Sequence, residues 1–236
     1  EIKELGLSAK GEVLINKDLS EIIKSCKNTY KIPYVYISSN GSLLTKENTY
    51  DLLEAGLDSI KLSINGISNN EYRTTHQKDD FEKVINNLKY LLQLKKDKFP
   101  KLKVLISSII DKPKKQIDTA FKDLLKNDYE LIDNTFKYNI TYTPKFENFS
   151  VDNSKLKPCP LALEEIYIDS DCRLGLCCKD YFKEFDYGSL LNYDFLELYN
   201  SKPMKNLRKM HLNKSFPDNH FCRKCLIFNE EVNDDK

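Results

Sequence analysis

Two hydrophobic periods alternate along the first half of the chain, and the alternation predicts its architecture. Glu1 to Ser8 reads as the end of a strand. Leu19, Ile22, Ile23 and Cys26 then fall at helical spacing behind Asp18, a candidate N-cap, which puts Cys26 on a buried stripe. Tyr34 to Ser38 is a short β-rich run that closes on the turn Ser38-Ser39-Asn40-Gly41. A helix from about Thr45 stops at Gly56, Ser59 to Ile64 is the next strand, and Ser68-x-x-Glu71 is a capping box for a short helix carrying Tyr72 and Arg73. Phe81, Val84, Ile85, Leu88, Leu91 and Leu92 share one face of a long helix. Lys103 to Ile110 makes a strand, Ile117 to Leu125 a helix, and Phe136 to Tyr142 the last strand of this half.

Strands and helices that alternate through connections this short predict an α/β fold, a parallel sheet with helices on its outer face. Ligands of such sheets bind at the carboxyl ends of the strands. Those ends are Ser8 to Glu12, Ser38 to Gly41, Ser63 to Asn65 and Ser107-Ser108, so hydroxyls, amides and backbone would do the gripping. Beyond Pro144 the pattern changes. A polar connector precedes a hairpin, Glu165 to Ile168 with Leu174 to Cys178, turning at Asp169-Ser170-Asp171. Two short helices and a charged tail follow. The expected organisation is residues 1–150 as a βα domain and residues 151–236 as a small cysteine-rich α+β module.

Composition narrows the classes. In 236 residues, 40% are hydrophobic and 37 Lys+Arg balance 36 Asp+Glu, which argues against disorder and against a dominant basic face, so nucleic acid is not implied. No apolar run reaches the roughly 18 residues of a membrane span. Sparse cysteines and no visible secretory signal point to a reducing, cytoplasmic setting rather than to disulfides.

Chemistry enters with the cysteines. Cys159 precedes a Pro, Cys177 follows at a distance, and Cys222 and Cys225 form C-x-x-C. A C-x-x-C with two remote partners suits a tetrahedral zinc ion or an iron–sulfur cluster, and spacing does not choose between them. Cys26 and Cys172 read as buried, unliganded residues. If Cys177 and the adjacent Cys178 lie on a strand, they face opposite ways and only one can be a ligand. His220, two residues before Cys222, reads as a solvated loop histidine, with a ligand role as the alternative, and His76 and His211 have no partner motif.

With these residues placed, the chain resembles radical S-adenosylmethionine (SAM) enzymes that carry a C-terminal SPASM or twitch auxiliary-cluster domain. Lys10-Gly11-Glu12-Val13 corresponds to the family's Gly-Gly-Glu-Pro turn, and Ser38-Ser39-Asn40-Gly41 to its strand-end Thr/Ser-x-Asn-Gly. Leu52 to Gly66 is close to the family's fourth-strand signature, with Asn65 in place of the usual Asp, and Tyr72-Arg73 matches the following basic position. Cys159-Pro160, Asp171 to Cys178, Tyr187-Gly188-Ser189 and Cys222-x-x-Cys225 match the auxiliary-domain pattern.

The resemblance implies a partial (β/α)6 barrel that binds SAM through Gly11, Glu12, Ser38, Asn40, Ser63 and Arg73. It implies an auxiliary [4Fe–4S] cluster on Cys159, Cys177, Cys222 and Cys225. The implied reaction is hydrogen abstraction from a small-molecule or peptide substrate by a SAM-derived 5′-deoxyadenosyl radical, with the auxiliary cluster handling the second electron and a flavodoxin or ferredoxin as donor. The family's C-x-x-x-C-x-x-C, which holds the SAM-cleaving cluster, does not occur here; the expectation is a fragment whose upstream segment carries it. Two other readings stay open: a zinc-stapled structural or interaction protein, and a homologue without catalysis.

Overall fold

The computed structural model describes residues 2–8, 10–138, 157–180 and 183–225. By contacts the chain divides into two compact units, Glu1–Ile140 and Thr141–Lys236.

The first unit is a five-stranded parallel sheet in the order β1-β2-β3-β4-β5. Its elements run β1 (Glu4–Gly6), α1 (Leu19–Asn28), β2 (Tyr34–Ser39), α2 (Lys46–Glu54), β3 (Ser59–Ser63), α3 (Asn69–His76), α4 (Phe81–Asp97), β4 (Lys103–Ser108), α5 (Lys114–Leu125) and β5 (Asn134–Lys137). Each strand pairs in parallel with the next, Ile37 opposite Ile60 and Ile60 opposite Val104. That row is buried, as is the row of Leu62 and Ile106, and α4 covers them with Val84, Leu88, Leu91 and Leu92. Burying a side chain of this size contributes about 1.5–3 kcal/mol, and this continuous apolar layer supplies most of the unit's stability.

One device recurs at the amino ends of the strands. Asp58, just before β3, accepts the Val35 N–H at 2.8 Å and the Lys27 ammonium at 2.7 Å. Asp133, just before β5, does the same with the Val104 N–H at 2.7 Å and the nearly buried Lys95 at 2.5 Å. Each carboxylate thus satisfies a neighbouring strand's orphan donor and ties a helix to the sheet. At the carboxyl ends the corresponding carboxylate is Glu12, which belongs to the site.

The second unit contains α6 (Pro160–Leu163), the antiparallel strands β6 (Tyr167–Ile168), β7 (Arg173–Gly175) and β8 (Asp186–Ser189), and α7 (Phe195–Tyr199) and α8 (Lys202–Asn213). Residues 221–225 are helical. Its own core holds Leu174, Leu176, Leu198, Met204, Leu207, Phe216, Phe221 and Cys222.

Several expectations need correction. Ile22 is exposed, because it lies at the edge of the α1 stripe formed by Leu19, Ile23 and Cys26. β5 begins at Asn134, since the Asp133 clamp starts its pairing earlier than the aromatic run suggested; residues 139–142 lie outside the described residues. The hairpin has a third strand, β8, in a segment that reads as a turn because Gly188, at φ +115°, interrupts it. Cys172 is exposed rather than buried. It occupies the left-handed region (φ +57°) in the hairpin turn, where its N–H reaches the Asp169 carbonyl. Cys177 and Cys178 lie past the end of β7, so strand alternation does not decide between them.

Candidate functional site

At the carboxyl ends of the sheet, Glu12 organises the first cluster. It caps the 3-10 turn Val13–Ile15, with Oε1 accepting the Leu14 N–H at 3.1 Å. The same oxygen accepts the Ser39 hydroxyl at 2.7 Å, and Oε2 accepts the Asn40 N–H at 2.8 Å. Asn40 continues the turn through Oδ1, which accepts the Ser42 N–H at 2.9 Å. Glu12 and Asn40, read from separate motifs, therefore meet. Gly11 (φ +108°) adjoins them with open space around it, so it is glycine for its backbone conformation rather than for close packing. Ser38 is held by Ser8, whose hydroxyl accepts the Ser38 N–H and donates to its carbonyl. Ser63 faces Ser107, hydroxyl to hydroxyl, at 3.3 Å.

Asn65 turns away from this role. Its Oδ1 accepts the Ile109 N–H and its own N–H is taken by His76 Nε2, so it braces the end of β3 against the next strand. Gly66 follows, and here the requirement is close approach: a Cβ would lie 2.4 Å from the Tyr72 nitrogen. That contact seats α3. Its capping box is half formed as expected, with Ser68 Oγ accepting the Glu71 N–H, but Glu71 reaches back to the Ile67 N–H and pairs with Lys112.

Tyr72 is fully buried, stacked on His76 with ring centroids 4.1 Å apart. Burial pushes its hydroxyl pKa up; the nearby Ser42 hydroxyl opposes this, and Asp80 and Glu12 add to it. The α3 helix thus packs behind the Glu12–Asn40 turn. Arg73, one residue on, is exposed and paired with Asp79 at 2.7 Å. The structure brings Glu12 and Asn40 into contact and leaves Arg73 engaged with its own neighbour.

The second unit gathers thiols. None of the seven cysteines is in a disulfide. Cys177 and Cys225 pack against the core that contains Cys222. Burial pushes the Cys222 thiol far up, and the charges of Cys177, Cys225 and Cys159 push it further, in that order. Burial likewise raises Cys177 to about 11, opposed by the backbone N–H groups of Lys179 and Asp180 in the turn after it. Thiols close enough to raise the pKa of Cys222 in this way call for a cationic centre to hold them ionised. Cys178 is exposed.

Two centres take a donor set of four thiolates. A zinc ion holds every sulfur about 2.3 Å from one point. Among the described residues, no group of three or more His, Cys, Asp or Glu is arranged to hold a metal ion. A [4Fe–4S] cube binds each thiolate on a separate iron, so its four sulfurs stand further apart. Cys159, Cys177, Cys222 and Cys225 have the donor chemistry that either centre takes.

Two histidines complete this region, and sequence reasoning assigned neither a role. His211 is buried, and its Nδ1 lies 3.4 Å from the Cys159 nitrogen as acceptor of that N–H. His220 Nδ1 accepts the Cys222 N–H at 3.1 Å. Burial, with His220 adding, depresses His211 to about 4. The available signal was His220, two positions before a ligand candidate. His211 lies 52 positions from Cys159, and only the fold joins them.

Comparison with known proteins finds a family model over each half of the chain. The radical SAM superfamily model matches residues 5–124, and an iron–sulfur cluster-binding domain model, SPASM, matches residues 159–226. The GTP 3′,8-cyclase of Chlorobaculum tepidum is 34% identical over 82 residues, 35% of this chain and 24% of that protein. A probable GTP 3′,8-cyclase of Methanocaldococcus jannaschii is 34% identical over 89 residues, 37% of this chain and 28% of that protein. The matches thus span under a third of these relatives' length. Among solved structures, anSMEcpe with bound AdoMet matches with a TM-score of 0.59 at 14% identity, over 89% of this chain and 67% of that one. BtrN in complex with AdoMet and 2-DOIA matches with a TM-score of 0.53 at 13% identity, over 88% and 66%. At such identities the likeness is one of fold. Among the described residues, no helix is long and apolar enough to cross a membrane. The chain belongs to the radical SAM superfamily, whose cofactors are SAM and iron–sulfur clusters, and it carries a SPASM iron–sulfur domain.

Proposed function

We propose that this protein takes part in a radical SAM oxidation or modification of a small-molecule or peptide substrate in the cytoplasm, with an electron donor such as a flavodoxin or ferredoxin. When bound, SAM supplies a 5′-deoxyadenosyl radical that removes a substrate hydrogen, and the auxiliary cluster supplies or accepts the second electron. This chain's residues position and shield the reactants. Gly11, Glu12, Ser38, Asn40 and Ser63 present backbone and side-chain groups at the strand ends for SAM. Glu12 keeps the Ser39–Asn40 turn fixed so that these groups are set before the ligand arrives. Arg73 exchanges Asp79 for the SAM carboxylate.

Cys159, Cys177, Cys222 and Cys225 are the proposed ligands of the auxiliary cluster. The observation that carries the reading is the packing of Cys177 and Cys225 against the core that holds Cys222, whose charge couples to Cys177, Cys225 and Cys159. Cys177 is preferred to Cys178 because it packs with Cys222 and Cys225 while Cys178 is exposed. Anaerobic reconstitution tests this against the zinc-stapled alternative. Brown protein with broad visible absorbance and bound iron and sulfide is expected. Colourless protein that retains one zinc per chain contradicts it.

A further inference from the structure

The described residues contain several groups that the proposed chemistry does not use, and two of them act on the same kind of atom. A cysteine ligand contributes its sulfur, but its own backbone N–H must also go somewhere. Near an iron–sulfur cluster a free N–H turns toward sulfur, and hydrogen bonds to the sulfurs are among the levers that set a cluster's potential. Cys177 has the backbone N–H groups of Lys179 and Asp180 close enough to lower its pKa, the latter also donating to the Cys177 carbonyl at 3.2 Å. The N–H groups of Cys159 and Cys222 themselves are taken by His211 Nδ1 at 3.4 Å and His220 Nδ1 at 3.1 Å.

The two acceptors are built as one assembly. Phe216, buried in the module core, packs on both imidazoles: edge-on to His211 at 4.8 Å between centroids and tilted to His220 at 5.3 Å. Phe185 lies against His220 from another side at 5.5 Å. Accepting at Nδ1 fixes the proton on Nε2 in each ring. For His211 that leaves an Nε2 buried with no hydrogen-bond partner. Such a group is a net cost to the fold, whereas Phe or Leu would fill the same space without it. Filling the core therefore does not account for histidine at this position. The Nδ1 contact to Cys159 does.

We propose that His211 and His220 are positioning residues for the auxiliary cluster: each holds the backbone of one cysteine ligand and keeps that ligand's N–H away from the cluster sulfurs. The inference rests on the assignment of Cys159 and Cys222 as ligands. Its consequence has a sign. A sulfur that gains an N–H donor is stabilised more in the reduced, more negative cluster, so releasing either N–H raises the reduction potential. Holding both lowers it.

The test is a redox titration of the reconstituted auxiliary cluster, followed by its electron paramagnetic resonance, with iron release to a chelator measured in parallel. His220→Leu removes the acceptor, and His220→Asn keeps an acceptor oxygen where Nδ1 stands; His211→Leu and His211→Asn repeat the comparison at the buried site. The Leu variants are expected to load iron, to show a higher potential than wild type, and to lose iron roughly 10-fold faster. The Asn variants should stay near wild type. Leu variants with wild-type potential and release rate overturn the inference. If a Leu variant does not load, normal loading of its Asn counterpart supports the inference, and failure of both overturns it. Cys222→Ser separates this from the underlying assignment: if that variant keeps its full iron, the ligand assignment is at fault and not the role of the histidines.

Discussion

Arg73 shows how one residue can be recognised from its neighbours in sequence and still be occupied otherwise in the fold. It follows the buried Tyr72, which fixes its place on α3, yet its guanidinium pairs with Asp79 in solvent. An exposed ion pair of this kind is weak and gives way to a better-placed carboxylate. Arg73→Ala should weaken SAM binding severalfold by calorimetry, while Asp79→Asn should leave it unchanged or tighten it. Unchanged affinity in Arg73→Ala removes Arg73 from the site. Residue identity carried the candidates Glu12 and Asn40 but not their relation: a carboxylate bonded to Ser39 and the Asn40 N–H requires two strand ends to be adjacent, which no local pattern encodes.

At the scale of elements, the junction of β3 with α3 makes two predictions. Gly66→Ala places a methyl 2.4 Å from the Tyr72 nitrogen, so α3 must shift; a loss of about 1–3 kcal/mol in denaturant unfolding is expected. A neutral result there means the α3 seat is not tight. The second concerns pH. Burial depresses His76 below its ordinary 6.5, with Lys78 contributing and Asp80 opposing. The unfolded chain therefore binds the proton more readily. Stability from neutral His76 is complete above 6.5 and is lost as pH falls through the lower folded value. Protonation also removes the acceptor for the Asn65 N–H, so hydrogen exchange at Asn65, corrected for intrinsic rate, should speed up on acidification, and His76→Gln should abolish that dependence. These elements were legible because α4 and the parallel strands carry strong periodicity over many residues. By contrast, β8 is four residues interrupted by a glycine, and its pairing with β7 is a tertiary fact.

Across the whole molecule, the sequence carried the two-part organisation in its change of pattern: alternating βα units first, then cysteines among short elements. Cysteine spacing pointed to a metal centre because a C-x-x-C needs remote partners, but it left zinc and iron–sulfur open. What spacing lacked was proximity: in the folded module Cys177 and Cys225 pack against the core that holds Cys222. Thiolate ligation links the cluster to the folding of the small unit, so losing a ligand should loosen residues 159–225 and spare the parallel sheet. Iron counting on anaerobically reconstituted single Ser variants tests this account most directly. Cys159→Ser, Cys177→Ser, Cys222→Ser and Cys225→Ser should each lose auxiliary-cluster iron, while Cys172→Ser and Cys178→Ser keep it; full iron in all six variants contradicts the account.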